Sequence, residues 1–358
     1  MLEINKPYKN IIVTGGSGFI GTNLIKKLLQ EPDVNVINLD KQKSTYISEF
    51  KKYSYKKTNR YQYLKIDLSD SESTISAVKK VNPDLIIHLA AESHVDRSIT
   101  SPFDFVQSNI LGTFNLLQAS LSHWKSLSKD RKNNFRFHHV STDEVYGSLM
   151  LNEFSSENSK YSPNSPYSAS KAASDHLVNA WFKTYDLPVV TSHCSNNYGP
   201  WQFPEKLIPL VINKAINLES IPIYGKGNNI RDWLYVEDHV DAILLIAKTG
   251  KLGETYCIGG NNEKTNREIV MEICNELDLI RPRNNKYASL ITYVKDRPGH
   301  DMRYAIDSSK IKKDLGWCPK YNFEEGIKNT INWYLKNINW CKKVLKEADY
   351  NCERLGLL

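Results

Sequence analysis

The segment Asn10-Ile-Ile-Val-Thr14-Gly-Gly-Ser-Gly-Phe-Ile-Gly21 joins a β-branched apolar run to a glycine cluster and then to an amphipathic stretch reaching Leu29. That order reads as strand, tight turn and helix. The cluster contains Gly16-x-Gly18-x-x-Gly21 and also Gly15-x-x-Gly18-x-x-Gly21. Glycine permits the turn and lets backbone N–H groups approach a pyrophosphate, while the helix N-terminus adds partial positive charge. The next strand, Asn35-Val-Ile-Asn-Leu-Asp40, ends on a carboxylate. A carboxylate there accepts ribose hydroxyls and repels a 2′-phosphate, so Asp40 favours NAD over NADP.

The same alternation continues along the chain. Strands are expected at Tyr63–Asp67, Asp84–Ala90, Phe135–Ser141 and Pro188–His193, with helices at Ser71–Val81, Phe103–Leu121 and Pro166–Tyr185. Strands alternating with helices imply an α/β fold: a Rossmann-like, doubly wound parallel sheet with ligands at the strands' carboxyl ends. After Cys194 the alternation becomes irregular and proline and glycine are frequent between Gly199 and Gly227. We therefore expect an NAD-binding domain over 1–193, with a returning contribution near 237–262. A smaller substrate-binding lobe is expected over 194–236 and 263–340, followed by a tail over 341–358.

Composition narrows the function classes. The 358 residues carry 41% hydrophobic and 24% charged side chains and a net charge of +7, which excludes disordered and fibrous chains. Lys51, Lys52, Lys56, Lys57 and Arg60 form the densest basic run, interleaved with Tyr53, Tyr55 and Tyr61. No nucleic-acid module accompanies it, so no nucleic-acid partner is expected. Cys194, Cys257, Cys274, Cys318, Cys341 and Cys352 show no CxxC pair. Reduced thiols in a cytoplasmic protein are the expectation. The N-terminus has no apolar core of a signal peptide and no apolar run is long enough to span a bilayer, so no membrane association is expected. The histidines His88, His94, His138, His139, His176 and His239 show no metal-ligand spacing, and no metal is expected.

Tyr167-Ser-Ala-Ser-Lys171 places a phenol and an ammonium one helical turn apart on one face. A phenol with a pKa near 10 acts as a base at neutral pH only if lowered by roughly 3 units, about 4 kcal/mol. A neighbouring Lys171 ammonium and a positive nicotinamide can supply that. Taken alone, the pair also fits a surface contact; behind a glycine turn and a strand ending in Ser141-Thr142 it reads as catalytic.

With these residues in place, the sequence resembles the extended short-chain dehydrogenase/reductase family from about Lys9 to Trp333. Within it, Thr142-Asp143-Glu144-Val-Tyr-Gly147 resembles the active-site strand end of the 4,6-dehydratases of nucleotide-diphosphoglucose. The resemblance implies a lyase using NAD on dTDP-glucose or UDP-glucose. Tyr167 and Thr142 would act at the sugar 4-hydroxyl, Glu144 as base at carbon 5, and a protonated Asp143 as acid at the 6-hydroxyl. Two neighbouring carboxyls can hold different protonation states through environment and mutual repulsion.

The resemblance implies cofactor contacts from Gly15, Gly18, Phe19, Ile20, Gly21, Asp40, Lys41, Asp67, Leu68, Leu89, Ala90, Ala91, Ser93, Ser108, Tyr167, Lys171 and Asn197. From the pattern alone Asp67 fits a surface strand end equally well. Substrate contacts are implied for Ser93, Thr142, Asn196, Lys206, Leu207, Pro222, Ile223, Tyr224, Arg231, Asn266, Asp296, Arg297 and His300. Lys206, Arg231 and Arg297 would neutralise a diphosphate, and Tyr224 would stack on the base. The helices Phe103–Leu121 and Pro166–Tyr185 resemble those that pair two subunits, implying a homodimer.

The two nucleotides differ by a methyl and a ribose hydroxyl, and a methyl is worth only about 1 kcal/mol; the sequence leaves that choice open. A 4-epimerase of the same fold needs no acid at carbon 6, so Asp143 speaks against it. The intact catalytic residues speak against a non-catalytic dinucleotide sensor. After Asp40 the chain departs from the family pattern. Beyond Trp340, basic and apolar residues alternate, which fits a docked helix or a frayed end.

Overall fold

The computed structural model describes residues 8–41, 59–348 and 350. Lys51 to Lys57 of the basic run, the first seven residues and the last eight lie outside the described residues. Seven parallel strands form the central sheet: β1 (Asn10–Thr14), β2 (Asn35–Asp40), β3 (Tyr61–Lys65), β4 (Leu85–His88), β5 (Arg136–Thr142), β6 (Val189–Cys194) and β10 (Thr255–Ile258). Their spatial order is β10-β6-β5-β4-β1-β2-β3. The chain winds one way from β1 and the other way from β4, so a crevice opens between those strands at their carboxyl ends.

Alternation along the strands explains the two covered faces. Ile11, Val13, Val36, Leu85 and Ile87 pack with Leu24, Ile25 and Leu28 of the helix Phe19–Leu28, and with Val240 and Ile243 of the helix Val236–Thr249. Ile12, Ile37, Leu39, Ile86 and Phe137 face the other way. They pack against Val78 of the helix Ser71–Val81, Leu116 and Leu117 of the helix Gly112–Ser126, and Val178 and Trp181 of the helix Pro166–Tyr185. Helix starts are locally encoded. Asp70 accepts from Ser73 N, and Ser165 and Ser168 form a reciprocal cap before Pro166.

A second layer of structure stands over the sheet's carboxyl edge. One small sheet joins β7 (Asn196–Tyr198), β9 (Ile230–Tyr235) and β11 (Glu263–Thr265); another pairs β8 (Ile221–Tyr224) with β12 (Ile291–Val294). Helices Leu207–Ile216, Asn266–Ile280 and Phe323–Lys336 surround them with a core of Ile212, Ile273 and Ile331.

The structure adjusts three sequence expectations. The third strand is Tyr61–Lys65 rather than Tyr63–Asp67, because its register is set by pairing Tyr61 with Val36. The expected continuous helix Phe103–Leu121 is a short helix Pro102–Phe105, a π-helical turn Val106–Leu111 and the helix Gly112–Ser126. Within that turn, the buried Asn109 side chain bonds to both backbone groups of Glu92 and to Ser170 Oγ. Finally, the helix Ile338–Glu347 docks Trp340, Cys341 and Val344 into the lobe core.

Candidate active site

The crevice widens into a cavity of about 830 Å³ floored by the glycine turn. Gly15 has φ +66°, and a Cβ there would lie 2.7 Å from the Ala90 backbone, so only glycine fits. A Cβ on Gly21 would fall 2.4 Å from Gly15 O. Gly18 N donates to Gly15 O at 3.0 Å. No side chain caps the helix that begins at Phe19, and its first turn carries no acidic residue. Asp40 Oδ2 accepts from Ser17 N at 3.0 Å, tying the carboxylate to the turn. A shaped backbone cradle, an uncapped helix N-terminus and a carboxylate beside it fit the pyrophosphate and ribose of a dinucleotide.

Thr142 ends β5, and Asp143 and Glu144 follow directly on it. A 3-10 turn, Asp143–Tyr146, turns the two carboxyls into the cavity, and Thr142 Oγ1 caps it by accepting from Glu144 N at 3.3 Å. Asp143 is only 2% exposed, and its Oδ2 has no partner among the described residues. Burial first, then the Glu144 charge, push Asp143 well above the usual carboxylate range. Burial also raises Glu144, but Arg297, Arg231 and Lys206 oppose it. The pair thus sits in two different electrostatic settings, with Asp143 favoured as the neutral acid.

Tyr167 and Lys171 line the same cavity. Burial, then the Glu144 charge, raise the Tyr167 phenol well above its ordinary value, and only a Thr142 hydrogen bond lowers it appreciably. Lys171 instead donates to Val140 O at 3.0 Å. The protein alone does not bring the phenol into the range of a neutral-pH base. Desolvation is the largest of these influences.

One side of the cavity is cationic, and the positive groups continue behind its lining. Lys206 Nζ donates to Ser93 O at 2.7 Å, and Arg97 pairs with Glu205 at 2.9 Å. Arg231 is buried, donates to Asp301 O at 2.9 Å and lies 4.3 Å from the Tyr304 ring centroid. Arg297 pairs with the buried Asp96, whose Oδ2 also accepts from Tyr224 OH at 3.1 Å. Burial and then the charges of Lys206, Arg97 and Arg297 hold His94 neutral, down to about 2. Burial and then Arg297 and Arg231 bring His300 down to about 4. Such a positive field suits an anionic group.

The chain is 50% identical to a dTDP-glucose 4,6-dehydratase of Salmonella typhimurium over 348 residues, covering 94% of this chain and 96% of the relative. This chain belongs to the dTDP-glucose 4,6-dehydratase family. An Escherichia coli family member is 51% identical over 349 residues, covering 94% of this chain and 96% of its own. The GDP-mannose 4,6 dehydratase family model matches residues 12–330. Among solved structures, the Bacillus anthracis dTDP-glucose 4,6-dehydratase in complex with NAD superposes with a TM-score of 0.81 at 40% identity, covering 94% of this chain and 99% of that one. The Streptomyces venezuelae family structure, also with NAD bound, gives 0.84 at 38% identity, covering 93% and 99%.

Seen against this dehydratase family, the fold is the expected one and NAD is its cofactor. The cavity gathers every residue expected to contact the cofactor, together with Thr142, Asp143, Glu144, Asn196 and Lys206. Within it, Lys41 pairs with Glu92 at 2.6 Å, and Asp67 Oδ1 also accepts from Ser69 N at 2.9 Å. Asn197 Oδ1 lies 2.9 Å from His239 Nδ1, and Asn196 Oδ1 is buried without a partner among the described residues. Leu207, Pro222, Ile223, Tyr224, Arg231, Asn266, Asp296, Arg297 and His300 lie outside the cavity lining. Of these, Tyr224, Asp296, Arg297 and His300 form a linked group around Asp96. The Ile223 side chain is buried in the lobe core. Asn266 begins a helix, and its N donates to Asn229 O.

Sequence reasoning missed several lining residues: Glu92, Arg97, Glu205, Gln202 and, from the tail, Val344 and Glu347. It also missed Asp96, distant in sequence from its partner Arg297. Only Glu92, between Ala91 and Ser93, and Glu205, next to Lys206, adjoin residues that the sequence singled out. Among the described residues no group of three His, Cys, Asp or Glu side chains is arranged to hold a metal, and no helix is long and apolar enough to cross a membrane.

Proposed function

We propose that this chain is an NAD-dependent dTDP-glucose 4,6-dehydratase in which Asp143 is the general acid and Glu144 the carbon-5 base. Its roughly 50% identity to family members over nearly the whole chain supports the activity. The observation that carries the residue assignment is the Asp143-Glu144 pair: adjacent carboxyls facing the cavity, one buried and one half-buried, with the buried Asp143 driven more strongly toward its neutral form.

Bound NAD supplies a hydride acceptor at carbon 4 and a hydride donor to carbon 6. The glycine turn and Asp40 hold it. Tyr167, hydrogen-bonded to Thr142, takes the 4-hydroxyl proton once a positive nicotinamide adds to the Lys171 charge and offsets burial. The 4-keto group then acidifies carbon 5, and Glu144 removes that proton. Asp143 donates its proton to the departing 6-hydroxyl, which is a poor leaving group without it. Lys206, Arg231 and Arg297 are the counter-charges for the diphosphate. Loss of water across carbons 5 and 6 leaves a 4-keto-5,6-ene; return of the hydride to carbon 6 and of a proton to carbon 5, from the Glu144 carboxyl, would give the 4-keto-6-deoxy sugar.

The exposed Phe103, Val106 and Leu111 on neighbouring helical turns support a homodimer through that face. The five described cysteines form no disulfide, consistent with a reducing cytoplasmic setting. Proton NMR of the protein with NAD and dTDP-glucose in deuterated water tests the activity. The expected product is a 4-keto-6-deoxy sugar carrying deuterium at carbon 5, formed faster than from UDP-glucose. A galactose-configured product with its 6-hydroxyl intact would overturn the reading in favour of an epimerase.

A further inference from the structure

Tyr167, Lys171 and Asp175 recur at four-residue spacing on the helix Pro166–Tyr185, so they share one face. That face runs along β5. Tyr167 faces Thr142 at the strand end, Lys171 Nζ reaches Val140 O, and Asp175 meets His139 and Ser141. The mechanism above leaves Asp175 unused, although it is a carboxylate only 5% exposed.

Both Asp175 carboxylate oxygens have polar partners. Oδ1 lies 2.9 Å from His139 Nε2. Oδ2 accepts from Ser141 Oγ at 2.9 Å and Tyr161 OH at 3.2 Å, and lies 3.2 Å from His193 Nε2. The facing groups therefore come from β5 (His139, Ser141), β6 (His193), the preceding loop (Tyr161) and its own helix (Lys171). Behind them, Tyr146 OH joins His193 Nδ1 and approaches Cys257 Sγ, and His176 packs on Tyr161. Burial opposes the Asp175 charge, but His193 and His139 hold it below the usual carboxylate range. Burial likewise pushes the Lys171 ammonium down, and Asp175 is the main influence raising it.

We infer that Asp175 is a positioning residue for the reaction: its carboxylate pins the Ser141-Thr142 strand end and keeps the Lys171 ammonium charged beside Tyr167. Ser141 is the next-to-last residue of β5, directly before Thr142 and the catalytic turn, so a bond at Ser141 Oγ sets where Thr142, Asp143 and Glu144 lie. The inference rests on the proposed roles of Tyr167 and Lys171.

The test compares Asp175→Asn, Asp175→Glu and Ser141→Ala as full-length proteins. Asp175→Asn should lower kcat about tenfold or more with KM changed less than about threefold, because the defect is in the reacting groups. It should also move the alkaline limb of the kcat profile, where Lys171 loses its proton, down by about one pH unit. Asp175→Glu should return the limb to its original place. Ser141→Ala keeps the charge and should lower kcat without moving the limb. Titration of nitrogen-labelled lysine by NMR, with the Lys171 signal assigned from Lys171→Met, reads the same charge effect without turnover and so stands if the dehydratase reading fails. An unmoved limb and an unmoved Lys171 titration in a folded Asp175→Asn protein would overturn the charge role. Unchanged kcat in Ser141→Ala would overturn the pinning role. If Asp175→Asn does not fold, a Glu variant whose limb moves as well would overturn the proposal.

Discussion

Replacing Asp143 by asparagine should destroy activity and stabilise the protein at the same time. Asp143 is almost fully buried, and its Oδ2 has no partner among the described residues. Burial and the Glu144 charge raise its pKa. A carboxyl whose folded pKa is raised binds a proton that the unfolded chain has already released. Its contribution to stability is fully present below the unfolded pKa, near 4, and is lost as pH rises towards the folded value, at about 1.4 kcal/mol per unit traversed. Asparagine keeps the shape but cannot ionise, so Asp143→Asn escapes that loss. Urea denaturation should therefore show the variant equal to wild type near pH 4 and more stable than it at pH 8. In catalysis the amide cannot protonate the leaving hydroxyl. General acid catalysis is worth about 10² to 10⁴ in rate, so kcat should fall by about 10³, roughly 4 kcal/mol. Stopped-flow absorbance of reduced nicotinamide should show the cofactor reduced in the first turnover and remaining so, since oxidation at carbon 4 precedes elimination. A kcat within about fivefold of wild type, or a stability difference independent of pH, would refute the reasoning.

Glu144→Gln should abolish deuterium incorporation at carbon 5 while cofactor reduction persists, with kcat down about 10² to 10³; NMR in deuterated water reads it, and continued exchange would reassign the base. Asp40→Ser removes a charged acceptor for ribose hydroxyls and should weaken NAD about 10- to 100-fold by calorimetric titration, since a hydrogen bond to a charged group is worth about 1.5–3 kcal/mol. Phe103, 65% exposed on the helical face proposed for pairing, should give a monomer by sedimentation when changed to aspartate; an unaltered dimer would place the interface elsewhere.

Much of this protein is legible in the sequence because the decisive signals are local. The glycine turn, Asp40 at the next strand end, Thr142-Asp143-Glu144 and the Tyr167–Lys171 spacing each lie within a single turn, strand end or helix. Strand–helix alternation carried the sheet for the same reason: one period of side chains buries each face. Tertiary structure decided what depends on residues far apart in the chain. It moved the third strand to Tyr61–Lys65, since only the partner strand sets register. It inserted a π-turn where Asn109 crosses to Glu92 and Ser170. It paired Asp96 with Arg297, docked the helix Ile338–Glu347, and ringed Asp175 with groups from three other elements. It also set the burial that raises the Tyr167 phenol, because desolvation is a property of everything packed around a group and no short stretch of sequence contains it.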